Sequence, residues 1–319
     1  MEPAQPVHII GVACGAGAPD PGCAEGPRAL REGGLVSRLR RAGLDAVWNA
    51  TIEAPAERDP FRAVALVTTA LARRARDLAA HKRLPVVLGG DHSCAIGTWR
   101  GIAAGLASRG PLGLIWIDAH MDAHTPQTTR SGMLHGMPLA CLLGYGDPRL
   151  TAIAGGARLY PGLVCLIGVR SFEIGEAALL QRLGVRVFFM HEVARRGLPA
   201  VLAEAIGTLR DRSAALGVSL DLDALDPRAA PGVGSPVPRG IRPDQLLAAL
   251  AAAAPVAPLA GIEVVEYNPY RDTRGATARI AAAFLEALLA RTPAQRVPAN
   301  GPSGNDEEDA AERTRRRAA

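Results

Sequence analysis

The pattern of apolar and polar positions divides most of the chain into short apolar runs and longer amphipathic segments. The apolar runs predict β-strands at residues 7–12, 84–88, 112–117, 163–167, 185–189, 217–220 and 261–265. The amphipathic segments, rich in Ala, Leu and Arg, predict α-helices at residues 61–80, 95–107, 176–183, 198–210, 243–253 and 277–290. Because strands that alternate with helices indicate βαβ units, we predict an α/β fold with a doubly wound, mostly parallel sheet and helices on both faces.

Length and composition favour one catalytic domain followed by a tail. The chain has 319 residues, of which 48% are hydrophobic, so it can bury a sizeable core. We expect residues 1–291 to form a single domain, since the Pro-rich stretch at residues 226–238 follows a strand, precedes a helix and is therefore a loop. Residues 292–319 contain almost no apolar residue other than Ala, and this composition is typical of a disordered tail.

Charge, cysteines and hydropathy bear on partners and location. The net charge of +5 does not indicate nucleic-acid binding, because the Arg residues are dispersed along the chain. The five Cys form no CxxC pair, which favours buried free thiols in a reducing compartment. No apolar stretch approaches the roughly 20 residues that a membrane span needs, and the opening residues do not resemble a signal peptide. We therefore expect a cytoplasmic protein that binds neither nucleic acid nor a membrane.

Carboxylates and imidazoles follow two of the predicted strands at alternate positions. Asp118, His120 and Asp122 come directly after one strand, and Asp221 and Asp223 follow another. Alternate side chains of an extended segment point to the same face, and parallel strands end at the same edge of a sheet. We therefore expect these five side chains to converge at the carboxyl edge of the sheet.

The number of candidate ligands indicates two metal ions. His92, in the segment GGDHS at residues 89–93, adds a sixth ligand to the five above, and four of the seven His fall between residues 92 and 135. So many ligands are too many for one ion. Oxygen and imidazole ligands without Cys favour Mn²⁺ over a structural Zn²⁺. In such a centre we expect Asp122 and Asp221 to bridge the ions, which activate water as a hydroxide nucleophile.

Two further polar residues lie at the same predicted edge. His135 stands in a Gly-flanked loop, from which an imidazole can move protons. Glu266 ends the last predicted strand, and a carboxylate there can bind a cation, with a guanidinium fork pairing in bidentate fashion. The substrate that these groups suit carries an electrophilic carbon next to a positive charge.

The segments that carry these residues resemble the ureohydrolases, and most closely the arginase family. They occur in order between about residue 7 and residue 289, and comprise GGDHS (89–93), DAHMD (118–122), SGMLHGMP (131–138), SLDLDALDP (219–227), EYNP (266–269) and the opening EGPRALREGGL (25–35). The resemblance implies an arginase-like α/β fold, a homo-oligomer (trimer or hexamer) and a centre of two Mn²⁺ per chain. It implies hydrolysis of the guanidinium of L-arginine to L-ornithine and urea, with a metal-bridging hydroxide as nucleophile.

The same resemblance assigns roles to individual residues. It implies catalytic roles for His135 as the proton shuttle, Glu266 as the guanidinium partner and Asp122 as a metal ligand. The implied metal ligands are His92, Asp118, His120, Asp122, Asp221 and Asp223. The implied substrate-binding residues are His124, Thr129, Ser131, Glu173 and Ser235.

Departures from the arginase pattern lie at the substrate's far end. His124 and Met133 stand where arginases usually carry Asn, and Ser171 and Glu173 replace a usual pair of Asp. Another guanidino-hydrolase, acting on agmatine, guanidinobutyrate or formimidoylglutamate, is therefore the alternative. Two further alternatives are less favoured. A deacetylase-like enzyme needs one Zn²⁺ and fewer carboxylates than this chain offers. A metal-dependent sensor or scaffold would be favoured only if His135 or Glu266 pointed away from the metals.

The predicted tail generates a first test. Because its composition cannot bury enough apolar surface to offset its ordering entropy, truncation after Arg291 should leave urea release and the melting temperature nearly unchanged. Urea assays and thermal unfolding of full-length and truncated protein measure this. A loss of activity, or a change of oligomer mass on a sizing column, would show that the tail takes part in assembly.

Overall fold

The structure is a computed structural model that describes residues 6–253 and 258–290. The predicted tail at residues 292–319 lies outside the described residues. Strands are labelled in chain order, and their bounds are β1 Val7–Ala13, β2 Ala46–Glu53, β3 Leu84–Leu88, β4 Leu112–Ile117, β5 Val164–Val169, β6 Arg186–Phe189, β7 Ala215–Asp221 and β8 Leu259–Val265.

The α-helices are labelled in the same way. Their bounds are α1 Gly26–Glu32, α2 Leu35–Arg41, α3 Pro60–Ala80, α4 Ala95–Leu106, α5 Pro138–Leu142, α6 Pro148–Thr151, α7 Ile174–Leu183, α8 Met190–Arg196, α9 Leu198–Arg210, α10 Pro243–Ala252 and α11 Ala276–Leu289. Short 3-10 turns occur at Pro21–Glu25, His92–Cys94, Leu134–Gly136, Ile153–Gly156, Pro161–Leu163 and Leu222–Ala224. None of the helices within the described ranges is both long and apolar enough to cross a membrane.

The eight described strands form one sheet, and all pairs of neighbouring strands are parallel. Their order is β2-β1-β3-β8-β7-β4-β5-β6. This confirms the predicted α/β fold, which was expected to be mostly parallel. Right-handed crossovers bring the carboxyl ends of all parallel strands to one edge. The strands that carry the candidate ligands, β3, β8, β7, β4 and β5, are consecutive in the sheet, so their loops are neighbours.

Alternate residues of each strand supply the two hydrophobic layers. Ile9 of β1 and Ile115 of β4 face one layer, which α1, α2, α9, α10 and α11 complete. Ile10 and Leu114, each one residue away, face the opposite layer, which α3, α4 and α7 cover. A strand covered on both faces needs apolar residues at every position, which explains why these strands appear as continuous apolar runs.

The structure contains elements that the apolar pattern did not predict. Strand β2 is one of them: it lies at the edge of the sheet, pairs only with β1 and is half-buried, so polar residues interrupt its pattern. The short helices α1, α2, α5, α6 and α8 were also missed, because four to seven residues are too few to show a helical period. All five cysteines are buried and unpaired, as the sequence predicted.

Candidate metal centre

The first ligand, His92, is placed by the turn that follows β3. Asp91 caps this turn: its Oδ1 accepts a hydrogen bond of 2.9 Å from the backbone N–H of Ser93, and its Oδ2 accepts one of 2.9 Å from Gly17. Gly90 is required here, because a Cβ at this position would lie 1.8 Å from the carbonyl oxygen of Cys14. The close approach of the two backbones turns His92 inward, where its side chain is buried.

A first group of ligand atoms surrounds the Nδ1 atom of His92. This nitrogen lies 2.9 Å from Asp122 Oδ2, 3.0 Å from Asp221 Oδ2 and 3.3 Å from Asp118 Oδ2. The three carboxylates come from the loop after β4 and from the end of β7, which are adjacent strands. One imidazole and three carboxylates therefore converge on one point, as the alternation of polar residues predicted.

A second group forms around His120 and shares one residue with the first. The Nδ1 atom of His120 lies 3.1 Å from Asp223 Oδ2 and 3.6 Å from Asp118 Oδ1. Asp118 thus directs Oδ2 to the first group and Oδ1 to the second. The expected bridging of two ions by Asp122 and Asp221 stays a prediction. Among the ligand atoms, Asp122 lies with the first group and Asp118 is common to both, a loop path that residue spacing does not reveal.

Neighbouring groups orient these ligands. The Trp116 ring stacks on His92 at 4.2 Å between centroids, and its Nε1 donates a hydrogen bond of 2.8 Å to Asp118 Oδ2. The backbone N–H of Asp223 donates to Asp221 Oδ1 at 2.8 Å. Asp122 has φ of +50°, in the left-handed region that costs free energy for a residue with a Cβ. Strained and buried polar residues of this kind concentrate at functional sites.

The electrostatics of the cluster show an excess of buried negative charge. Burial and the negative charge of Asp118 raise the pKa of Asp122 to about 6. Burial acts to lower the pKa of His120, but the charge of Asp223 and the hydrogen bond with Asp118 outweigh it and raise that pKa. Burial likewise acts to lower the pKa of His92, and its three carboxylate neighbours raise it instead. The cluster therefore favours positive charge within it.

The donor set fits divalent metal ions. Each group consists of carboxylate oxygens and an imidazole nitrogen and contains no thiol. The ligand atoms lie within 4.8 Å of one another in two sets, which are His92, Asp118 and Asp122, and Asp118, His120 and Asp223. The buried Nδ1 atom of His92 has no partner in hydrogen-bond geometry among the described residues, although three carboxylate oxygens surround it. A ring nitrogen in this position suits a metal ligand. Oxygen and imidazole donors suit Mn²⁺ and similar ions.

Glu266 and His135 lie next to the cluster. Glu266 is buried, has φ of +64°, and its Oε1 accepts a hydrogen bond of 2.9 Å from the backbone N–H of His92. The same oxygen lies 3.3 Å from His135 Nδ1. A Cβ at Gly234 would lie 3.5 Å from Oε2, so the glycine leaves space in front of this oxygen. Burial acts to lower the pKa of His135, but Glu266 and other nearby carboxylates raise it to about 9.

A pocket of about 190 Å³ opens above the cluster. Four of the five predicted substrate-binding residues line it, namely His124, Ser131, Glu173 and Ser235. Thr129 does not line it; the hydroxyl oxygen of Thr129 accepts a hydrogen bond from the backbone N–H of Gly132 and supports the loop. The structure thus brings together all six predicted metal ligands, the two predicted catalytic residues His135 and Glu266, and four of the five predicted substrate-binding residues.

At the mouth of this pocket an imidazole is paired with two carboxylates. His124 Nε2 contacts Glu173 Oε2 and lies 3.4 Å from Glu176 Oε2, while its Nδ1 lies 3.1 Å from the hydroxyl of Thr128. Glu176 accepts hydrogen bonds from the backbone N–H groups of Ala123 and Glu173. Burial raises the pKa of Glu176 to about 7. The contact between His124 and Glu173 joins the loops that follow β4 and β5.

Sequence reasoning missed several residues of this site. Glu176 was assigned only to a helix, although it lies three residues after Glu173, a spacing that also marks the capping box that the structure shows. Trp116, Ser219 and Glu263 were counted as strand residues. A Ser and a Glu inside otherwise apolar buried strands were the signal that could have revealed the last two, since buried polar groups need partners.

These features define the class of protein. An all-parallel α/β sheet with a cluster of carboxylates and imidazoles at its carboxyl edge is the architecture of an enzyme with a candidate metal centre at that edge. A family model described as the arginase family matches residues 5–290. The chain belongs to the arginase family and is a hydrolase of that family.

Individual relatives agree with this family in sequence and in structure. The arginase of Bacillus caldovelox is 40% identical over 296 residues, which cover 89% of this chain and 98% of that protein. Its native crystal structure matches with a TM-score of 0.83. A structure of Entamoeba histolytica arginase in complex with L-ornithine is 30% identical, and the match covers 90% of this chain and 99% of that chain with a TM-score of 0.82.

Proposed function

We propose that this protein hydrolyses the guanidinium group of L-arginine to give L-ornithine and urea, with two Mn²⁺ ions held by the two ligand groups. The observation that carries the proposal is the convergence of six candidate metal ligands, four of which line one pocket, next to the buried carboxylate of Glu266. The E. histolytica arginase bound to L-ornithine lends support, since L-ornithine is the amine product of this reaction. When bound, such ions lower the pKa of water and supply a hydroxide nucleophile near neutral pH.

Glu266 is suited to bind the guanidinium of the substrate. Its Oε1 is held by the backbone of His92, and the lack of a Cβ at Gly234 leaves space next to Oε2. A carboxylate held in this way pairs with a guanidinium through charge-assisted hydrogen bonds. The positive φ of Glu266 indicates that the backbone accepts strain to aim this side chain at the cluster.

His135 is suited to move protons next to the bound guanidinium. The backbone N–H of His135 donates to the carbonyl of Gly17 at 3.0 Å, which fixes the loop, and Nδ1 faces Glu266. We propose that a proton passes from Nε2 to the amine nitrogen that leaves as ornithine forms. The raised pKa keeps the imidazole protonated at neutral pH, so it can act as the donor.

The far end of the substrate meets the rim of the pocket. Ser131 Oγ accepts a hydrogen bond from the backbone N–H of Met133, so its own O–H is available to donate to an α-carboxylate. Glu173 and Glu176 offer negative charge to an α-ammonium. Both groups that distinguish L-arginine from simpler guanidino compounds therefore have partners in this pocket.

A second candidate is a guanidino-hydrolase of the agmatinase or guanidinobutyrase type. The observation that favours the agmatinase type is the contact of His124 with Glu173, since this imidazole is engaged by a carboxylate of the protein, and agmatine has no carboxylate that would need it. Met133, which lines the pocket, offers no hydrogen-bond donor there. The homo-oligomer (trimer or hexamer) that the family resemblance implies and the cytoplasmic location that the cysteines and hydropathy favour remain predictions.

The shared position of Asp118 predicts how metal content responds to substitution. Wild-type enzyme should hold two Mn²⁺ per chain, and Asp122→Ala should weaken only the ion of the His92 group. Asp118→Ala should weaken both, because it removes a ligand from each group. Elemental analysis after dialysis, with melting temperatures as the control for folding, measures this. One tightly bound ion in a fully active wild-type enzyme would contradict the two-ion proposal.

The roles of His135 and Glu266 predict different kinetics. His135→Asn should lower kcat about 100- to 10,000-fold with little change in KM, because proton transfer is lost while binding remains. Glu266→Gln should impair both kcat and KM, because the guanidinium loses its charged partner. Steady-state urea assays at saturating Mn²⁺ separate the two patterns. Equal and mild effects of both substitutions would argue against these roles.

The rim contacts predict substrate preference. Each charge-assisted contact contributes about 1.5–3 kcal/mol, so removing one end group of L-arginine should lower kcat/KM by more than about tenfold. Agmatine lacks the α-carboxylate and guanidinobutyrate lacks the α-ammonium, so both should be poor substrates. Urea release from the three compounds with Mn²⁺ present compares them directly. Hydrolysis of agmatine as efficient as that of L-arginine would establish the second candidate instead.

A further inference from the structure

A carboxylate outside the ligand groups is fully buried beneath the candidate metal centre. Glu263 lies in the middle of β8 and is 0% exposed. Three donors point at it: Trp99 Nε1 at 2.8 Å and Ser219 Oγ at 2.7 Å reach Oε2, and Cys94 Sγ lies 3.8 Å from Oε1. Burial of a carboxylate is unfavourable even when hydrogen bonds partly offset it, and an apolar residue of similar size would avoid that cost.

Ser219 connects this carboxylate to a candidate metal ligand. Ser219 on β7 pairs in register with Glu263 on β8, so the two side chains are on the same face of the sheet. The hydroxyl oxygen of Ser219 also lies 3.2 Å from Nε2 of His92. Glu263, Ser219 and His92 therefore form a continuous line of hydrogen-bonding groups, which we call the Glu263 relay.

The chemistry of a carboxylate sets the direction of this relay. An ionised carboxylate only accepts hydrogen bonds, and a serine hydroxyl has a single proton to donate. Because Ser219 donates that proton to Glu263, its oxygen is left to accept from His92. In the neutral His92 ring, which is the form that binds metal, the proton then resides on Nε2 and Nδ1 carries a lone pair.

The direction of the relay determines whether Nδ1, on the other side of the His92 ring, can bind a metal ion. Nδ1 of His92 faces Asp118, Asp122 and Asp221 and has no partner in hydrogen-bond geometry among the described residues. We propose that Glu263 is a positioning residue that, through Ser219, holds His92 in the tautomer whose Nδ1 binds metal. This inference rests on the proposed metal centre, and it names the residue that prepares one ligand of that centre.

Trp99 provides a matched control. Its indole N–H donates to the same oxygen of Glu263 as Ser219 does, and its ring packs over Gly217 of β7. Trp99→Phe therefore removes one hydrogen bond from the same buried carboxylate but leaves the link from Ser219 to His92. A purely structural role of Glu263 would make this variant resemble the loss of Glu263, whereas a positioning role would not.

Metal affinity of full-length protein tests the proposal without requiring turnover. The dissociation constant for Mn²⁺ is measured by competition with a chelator, and the melting temperature of metal-free protein reports folding. Glu263→Met and Ser219→Ala should each weaken Mn²⁺ binding about 10- to 100-fold, the range seen when groups behind a metal ligand are removed. Glu263→Gln keeps an acceptor oxygen for Ser219 and should therefore retain most of the wild-type affinity for Mn²⁺. Trp99→Phe should lower the melting temperature and leave the affinity unchanged.

The outcomes separate this inference from the proposed function. Unchanged Mn²⁺ affinity in folded Glu263→Met, or an equal loss in Trp99→Phe, would overturn the relay while the wild-type metal centre stands. If Glu263→Met does not fold, Ser219→Ala decides, because it removes only one hydroxyl. Wild-type protein that binds no Mn²⁺ would overturn both the relay and the proposed metal centre.

Discussion

Mutual repulsion among buried carboxylates is the constraint on which the rest of the site depends. Asp118, Asp122, Asp221 and Asp223 lie within contact distance of two imidazoles and are almost wholly removed from water. Such a set is unfavourable unless positive charge lies among its members, because burial and like charges both oppose ionisation. The raised pKa values of His92, His120 and Asp122 are the response of the protein itself to this charge. Divalent cations would offset this buried negative charge more fully than protons do, which is why the cluster fits a metal centre.

The sheet makes this concentration of charge sterically feasible. Five consecutive parallel strands end at one edge, and the six candidate metal ligands come from the ends of three of them, β3, β4 and β7, so no single loop carries the whole cost. Two residues, Asp122 and Glu266, adopt left-handed backbone conformations to complete the arrangement. Behind the ligands, Trp116 and Ser219 occupy positions in otherwise apolar strands, where the packed layers leave them little freedom to move. Rigid strands thus hold the groups that need fixed geometry.

The mouth of the pocket is less constrained than its floor. The floor is built from strand ends, whereas the rim is built from the loops after β4 and β5, where Glu173 and Ser131 are exposed. Here His124 contacts Glu173, and Met133 offers no polar group. In the proposed function, the chemistry at the guanidinium depends on buried, hydrogen-bonded groups, while recognition of the remainder of the substrate depends on the more exposed rim. This difference separates the hydrolase class, which the family membership establishes, from the proposed choice among guanidino substrates.

The sequence alone determined the α/β class, the mostly parallel sheet and the six candidate ligands, because strands buried on both faces are continuous apolar runs and alternate residues share a face. It also indicated Glu266 and His135, since each follows a motif at the same edge. It did not reveal strand β2 or the short helices, whose patterns are too brief or too mixed. Only the tertiary structure decided that Asp118, rather than Asp122, lies between the two groups, that Thr129 stays outside the pocket, and that Glu263 reaches His92 through Ser219. These facts depend on loop paths and on contacts between strands distant in sequence, which residue spacing does not encode.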